Sequence, residues 1–136
     1  MPFVLDASVS LSWCLPDEQN EYAQGVLASL DDDTAVVPGL WLVEFTNGLV
    51  VAERRNRLTS AGVSHVHRIV ADLPITLRNF TLDETLGTVL NLARAEQLSA
   101  YDASYLALAM REGIPLATLD NRLKAAATRV GVKIVS

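Results

Sequence analysis

What most restricts the fold of this chain is an alternation. Short apolar runs, each ended abruptly by an acid, a proline or a polar break, are separated by longer stretches with helical periodicity. Pro2–Asp6 at the start of the chain, Thr34–Val37 before Pro38-Gly39, Ile75–Leu77 after Pro74, Pro115–Leu119 and Val132–Val135 are strand-length and carry branched residues suited to strands. Between them, a helical turn from Ala7 is stopped by Pro16. Glu18–Leu30 follows, with Tyr22, Ala23, Val26, Leu27 and Leu30 at helical spacing. Further helices are predicted over Leu40–Arg55, from a Thr59 or Ser60 cap to about Ala71, over Leu82–Glu96, over Ala100–Arg111 between Ser99 and Gly113, and over Asn121–Arg129. Strands that alternate with one or two helices predict an α/β fold: a single domain over 1–136, with a mainly parallel central sheet of four or five strands inside a three-layer α/β/α sandwich. In such sheets ligands gather beyond the carboxyl ends of the strands, where the strand order reverses.

Composition narrows the function. Half of the 136 residues are apolar and a fifth are charged, which excludes a disordered chain. No apolar run approaches the roughly 20 residues that span a bilayer, and the N-terminus lacks a basic-then-apolar leader, so the cytoplasm is the expected compartment. A lone cysteine, Cys14, excludes an internal disulfide and a multi-cysteine zinc site, and reads as a packing residue. The glycines form neither a GxGxxG nor a Walker-type run, which counts against a dinucleotide or nucleoside-triphosphate enzyme. His65 and His67, two apart on a predicted helix, do not face one ion together. The net charge of −5 carries no global basic signature, yet Arg54, Arg55 and Arg57 cluster, as do Arg122, Lys124 and Arg129. Those arginines either contact nucleic acid or solvate helix ends.

Four acids stand where a strand or an apolar helix face would exclude them. Asp6 ends Phe3-Val4-Leu5, Asp120 ends Leu116-Ala117-Thr118-Leu119, and Glu44 and Asp102 interrupt the apolar helices Leu40–Val51 and Ala100–Met110. A carboxylate withdrawn from water needs compensation, and a cation held by oxygen ligands would supply it. Each acid has a plainer alternative. Asp6 and Asp120 could cap the helices that follow them, Asp102 could serve its helix dipole, and Glu44 could rotate toward solvent. Ser8, Asn47 and Thr118 lie where they could support Asp6, Glu44 and Asp120 respectively.

Val4-Leu5-Asp6-Ala7-Ser8, Leu42-Val43-Glu44-Phe45-Thr46-Asn47, Tyr101-Asp102-Ala103-Ser104-Tyr105-Leu106-Ala107-Leu108-Ala109 and Leu116-Ala117-Thr118-Leu119-Asp120-Asn121-Arg122-Leu123 occur in this order and spacing. Taken together they resemble the PIN-domain ribonucleases, and within them the small VapC-type toxins of type II toxin–antitoxin pairs. The resemblance covers essentially the whole chain. It implies a PIN-like fold and Mg²⁺- or Mn²⁺-dependent hydrolysis of phosphodiester bonds in tRNA, rRNA or mRNA. Asp6, Glu44, Asp102 and Asp120 would be catalytic, with Asp6, Asp102 and Asp120 as metal-binding acids. Asp6 and Asp102 would bind directly, while Asp120 and Glu44 hold metal waters or position the nucleophile. Ser8, Asn47 and Thr118 would support them, and Arg54, Arg55 and Arg57 would contact RNA. Thr118 and Asn121 stand where some relatives carry a further acid, so one metal or two remains open. The resemblance also implies a small VapB-like antitoxin, with Trp13, Tyr22, Trp41 and Phe45 either in its groove or in the core, and a homodimer. A non-cleaving RNA-binding inhibitor of translation and a structure-specific DNA nuclease are the alternatives.

Overall fold

Phe3–Leu5 (β1) is buried at every position and lies between two parallel neighbours, Ala35–Val37 (β2) and Leu116–Ala117 (β4), with Ile75–Leu77 (β3) beyond β2. A computed structural model describes residues 1–136. The strand order is β3-β2-β1-β4 and all pairings are parallel. The chain leaves β1 toward β2 and β3, then crosses back to place β4 on the other side of β1. That crossing makes β1 and β4 the switch point of the sheet.

The helices are Ala7–Cys14 (α1), Glu21–Ser29 (α2), Leu40–Arg54 (α3), Ser60–Ala71 (α4), Leu82–Glu84 (α5), Leu90–Glu96 (α6), Ala100–Glu112 (α7) and Asn121–Arg129 (α8). They flank the sheet in the expected three-layer α/β/α arrangement. Local chemistry sets several ends. Asn20 accepts a hydrogen bond from Ala23 N at 2.9 Å, so α2 begins at Glu21 rather than at the expected Glu18. Ser99 caps α7 through Asp102 N, and Gly113 closes it in the left-handed region at φ 65°. In α3, Gly48 permits a close approach to α1, because a Cβ there would run into Leu11.

α7 holds the site's frame. It is buried without interruption from Ala103 to Ala109 and packs on both β1 and β4. Burying each of its leucines, Leu106 and Leu108, contributes about 2 kcal/mol. Rotation of α7 would therefore be costly, and its first turn is held fixed against the carboxyl ends of the central strands.

Three expectations are corrected. The predicted strand Val132–Val135 is reduced to a single parallel bridge, Leu116 to Ile134, secured by Leu116 N to Lys133 O and Val135 N to Leu116 O, both at 2.9 Å. β4 itself is regular over only two residues, not from Pro115 to Leu119, and offers no longer edge to pair with. The predicted helix Leu82–Glu96 is interrupted by a π-helical segment, Thr85–Val89. Gly87 and the β-branched Thr85, Thr88 and Val89 favour the α form weakly there. No helix is long and apolar enough to cross a membrane.

Candidate active site

Asp6 follows β1 directly, at the position that precedes α1, but its side chain does not cap that helix. Strand register explains why. Leu5 pairs with Ala117 and Asp6 N donates to Ala117 O at 3.0 Å, so Asp6 and Thr118 emerge side by side from adjacent strands. The fully buried Thr118 hydroxyl donates to Asp6 Oδ2 at 2.7 Å, and the Ser8 hydroxyl donates to the same oxygen at 2.7 Å. Oδ1 is left without a side-chain donor. Asp6 is only 6% exposed, and burial pushes its pKa up. The Thr118 and Ser8 hydroxyls and the Ser8 N–H pull the other way, while the charge of Asp120 adds to the rise.

Both hydroxyls act twice. Ser8 Oγ accepts from Leu119 N at 3.1 Å, and Thr118 Oγ1 accepts from Asp120 N at 3.0 Å. They thus tie the turn after β4 to the acid after β1. Asp120 does cap: its Oδ1 accepts from Arg122 N at 2.8 Å and Leu123 N at 3.2 Å at the start of α8. For Asp120 the cap alternative is correct, and it leaves Oδ2 available to the site.

Glu44 and Asp102 approach from helices. Tyr105, completely buried in α7, donates its hydroxyl to Glu44 Oε1 at 2.6 Å and so holds the Glu44 side chain half-buried rather than swung into solvent. Burial raises the Glu44 pKa, the Tyr105 hydroxyl lowers it, and the charges of Asp6 and Asp102 raise it again. Asp102 is also raised by burial and then by Asp6 and Asp120, against Arg122 and the Ser99 hydroxyl, which favour the charged form. Asp120 acts on Asp6 and Asp102, and Asp6 and Asp102 act on Glu44, so the four acids gather at one end of the sheet. Sequence reasoning missed Tyr105. Its place on the Asp102 stripe was the available signal, but that stripe reads as core, and its partner is 61 residues away.

No three His, Cys, Asp or Glu side chains form a ready-made ligand set around one point. The donors still suit a hard cation. They are all oxygen, one is buried beyond what two hydroxyls compensate, and Mg²⁺ takes few carboxylates directly while keeping several waters.

Other expected site residues stand elsewhere. Asn47 is exposed, one turn past Glu44, and makes no hydrogen bond to it. Arg54 ends α3 ten residues beyond Glu44, about 15 Å along the axis, with Arg55 just past it. Arg57 is committed to an ion pair: it donates to Asp17 at 2.8 and 2.9 Å and to Glu18 at 2.9 Å. Trp41 and Phe45 stack at 5.0 Å, largely buried, and form one wall of a groove of about 550 Å³ between α3 and α4. Trp13 is tied by Nε1 to Ala23 O at 2.7 Å, and the Tyr22 hydroxyl is buried without a partner.

Residues 3–128 match the family model for the PIN domain. Ribonuclease VapC3 of Pyrobaculum aerophilum is 28% identical over 123 residues, which span 90% of this chain and 92% of that protein. Among solved structures, VapC20 of Mycobacterium tuberculosis, a sarcin–ricin loop cleaving toxin, superposes with a TM-score of 0.68 at 19% identity, covering 91% of this chain and 94% of its own. A chain of VapBC2 from Rickettsia felis, bound to a DNA fragment from their promoter, gives a TM-score of 0.68 at 14% identity over 100% of this chain and 98% of its own. At these identities the two structures bear on the fold.

Proposed function

The chain belongs to the PIN domain family, and on that footing we propose that it is a Mg²⁺- or Mn²⁺-dependent endoribonuclease, a VapC-type toxin restrained in the cytoplasm by a small VapB-like antitoxin. One observation carries the reading. Asp6 is buried at the switch point of the sheet, where Asp120 opposes its ionisation and Asp6 in turn opposes that of Glu44 and Asp102. Such a group is costly unless a cation neutralises it. The ribonuclease and toxin names of the similar proteins support the same direction.

Asp6 and Asp102 would hold the ion directly, with Asp120 Oδ2 and Glu44 reaching it through water. A bound Mg²⁺ or Mn²⁺ supplies Lewis-acid polarisation of the phosphate and a nucleophilic water at neutral pH. Ser8 and Thr118 keep the Asp6 carboxylate in one orientation. Tyr105 occupies Glu44 Oε1, which leaves Oε2 to position the attacking water. Arg54 and Arg55 would track the RNA backbone beyond the site, contacts that position without specifying sequence. The antitoxin would dock on apolar surface such as the α3–α4 groove, and the exposed Leu82, Leu86 and Tyr101 suit a homodimer interface.

The test is cleavage of tRNA, rRNA and mRNA, and of a DNA oligonucleotide, by purified protein with Mg²⁺ or Mn²⁺. RNA should be cut, EDTA should stop the reaction, and Asp6→Asn should be inactive though folded. Equal cutting by Asp6→Asn would refute the mechanism. Translation blocked without cleavage would instead identify a non-cleaving RNA binder.

A further inference from the structure

Arg122 is a basic residue that follows Asp120 closely and stands at the rim of the acid cluster without pairing with it. It lies in the first turn of α8, where its backbone N–H donates to Asp120 Oδ1. Its guanidinium Nη2 donates to Gln97 O at 3.0 Å, at the left-handed turn (φ 54°) that closes α6 ahead of α7. The side chain is therefore stretched from the β4–α8 junction to the α6–α7 junction, beside the two helix starts that carry Asp120 and Asp102. Its charge acts on Asp102, whereas no basic group acts comparably on Asp6 or Glu44. Arg57, Arg111 and Arg129 are all paired with carboxylates, but Arg122 has none within ion-pair distance. The bond to Gln97 leaves most of its donors unused.

Architecture alone does not account for a cation here. The positive end of a helix dipole disfavours it, and a glutamine could make the same bond to Gln97 O. A planar, permanently charged donor fork on the rim of a carboxylate cluster matches a phosphate group that reaches into that cluster. We infer that Arg122 binds a non-bridging phosphate oxygen of the RNA strand at the edge of the acid site and positions that strand against Asp102 and Asp120. The inference rests on the nuclease reading, and it transfers the nearest phosphate contact from the arginines at and beyond the end of α3, of which Arg57 is already neutralised, to the first turn of α8.

Binding of a labelled single-stranded oligoribonucleotide tests it. Affinity is measured in Mg²⁺ in an Asp6→Asn background, where the RNA should remain intact, and across a range of salt concentrations. Arg122→Gln should weaken binding about tenfold at low salt and reduce the slope of log affinity against log salt by about one. Arg122→Lys should recover much of the loss, and Arg68→Gln, an exposed arginine of α4, should change nothing. Melting temperatures of the variants should coincide. In the active protein, Arg122→Gln should raise KM more than it lowers kcat. Unchanged affinity and salt slope in Arg122→Gln overturn the inference, as does absence of RNA binding by the parent protein. If the wild-type protein cuts no RNA with either metal but Arg122→Gln still weakens binding, the nuclease reading fails and the phosphate contact stands.

Discussion

At the β1–α1 junction Asp6 has extended backbone, φ −76° and ψ 145°, immediately before a helix. At the β4–α8 junction Asp120 has nearly the same backbone, φ −81° and ψ 118°, in the same relation to the next helix. Asp120 caps its helix with two backbone hydrogen bonds, whereas Asp6 makes no side-chain cap hydrogen bond and only feels the nearby Ser8 N–H. The neighbours make the difference. Beside Asp6, the parallel register brings up the Thr118 hydroxyl, and Ser8 adds a second donor, so the carboxylate is drawn sideways into the crevice and buried. Beside Asp120, Thr118 has already been spent on Asp6, and the free N–H groups of α8 are the available donors. Asp120 therefore stabilises the start of its helix while facing the acid group, whereas Asp6 is buried within that group at a cost in stability.

Substitutions at the two junctions should separate these roles. The largest effect is expected from Asp6→Asn: cleavage falls by about a hundredfold or more, while the melting temperature in EDTA stays level or rises. A large loss of stability would show that Asp6 supports the fold after all. Thr118→Val comes next, because it removes one donor from Asp6 and the acceptor of Asp120 N in a fully buried position. Unfolding in urea should show a loss of about 1–3 kcal/mol. At the other junction, Asp120→Ala should cost about 1 kcal/mol through the lost cap, whereas Asp120→Asn should keep stability within a few tenths. Both should reduce cleavage. If Asn destabilises as much as Ala, the cap is not what distinguishes Asp120 from Asp6.

Acidity offers a finer probe of the same contrast. The folded pKa of Asp6 is raised from its ordinary value of 3.8, so between that value and the raised one the native state holds a proton that the unfolded chain has released. The contribution of Asp6 is thus most favourable below the ordinary carboxylate range and is lost as pH rises through the raised pKa. In EDTA, the stability advantage of Asp6→Asn over wild type should grow as pH increases from about 4 toward neutrality. Added Mg²⁺ should cancel or reverse it. An advantage that shrinks with rising pH would contradict the direction of the shift. Smallest is Tyr105→Phe, which frees Glu44 Oε1 and should lower cleavage about tenfold while RNA affinity holds.

Much of this was legible in residue order. Alternating strand-length and helix-length apolar patterns specify an α/β chain because both periods are local, repeating within a few residues. The same locality made the Ser99 and Thr59 caps and the Gly113 terminus readable. It failed at Val132–Val135, where strand formation depended on the length of an edge contributed by another segment. It also failed at Arg57, whose partners Asp17 and Glu18 lie about forty residues away.

The sequence by itself determined the kind of fold and the motifs of the family, and it singled out four acids as out of place. Tertiary structure decided which aspartate caps and which is buried, that Tyr105 holds Glu44, and that Arg57 is paired with carboxylates whereas Arg122 is not. Strand register and hydrogen bonds between helices join residues separated by 61 or 112 positions, and only the packed core fixes which of those distant groups meet.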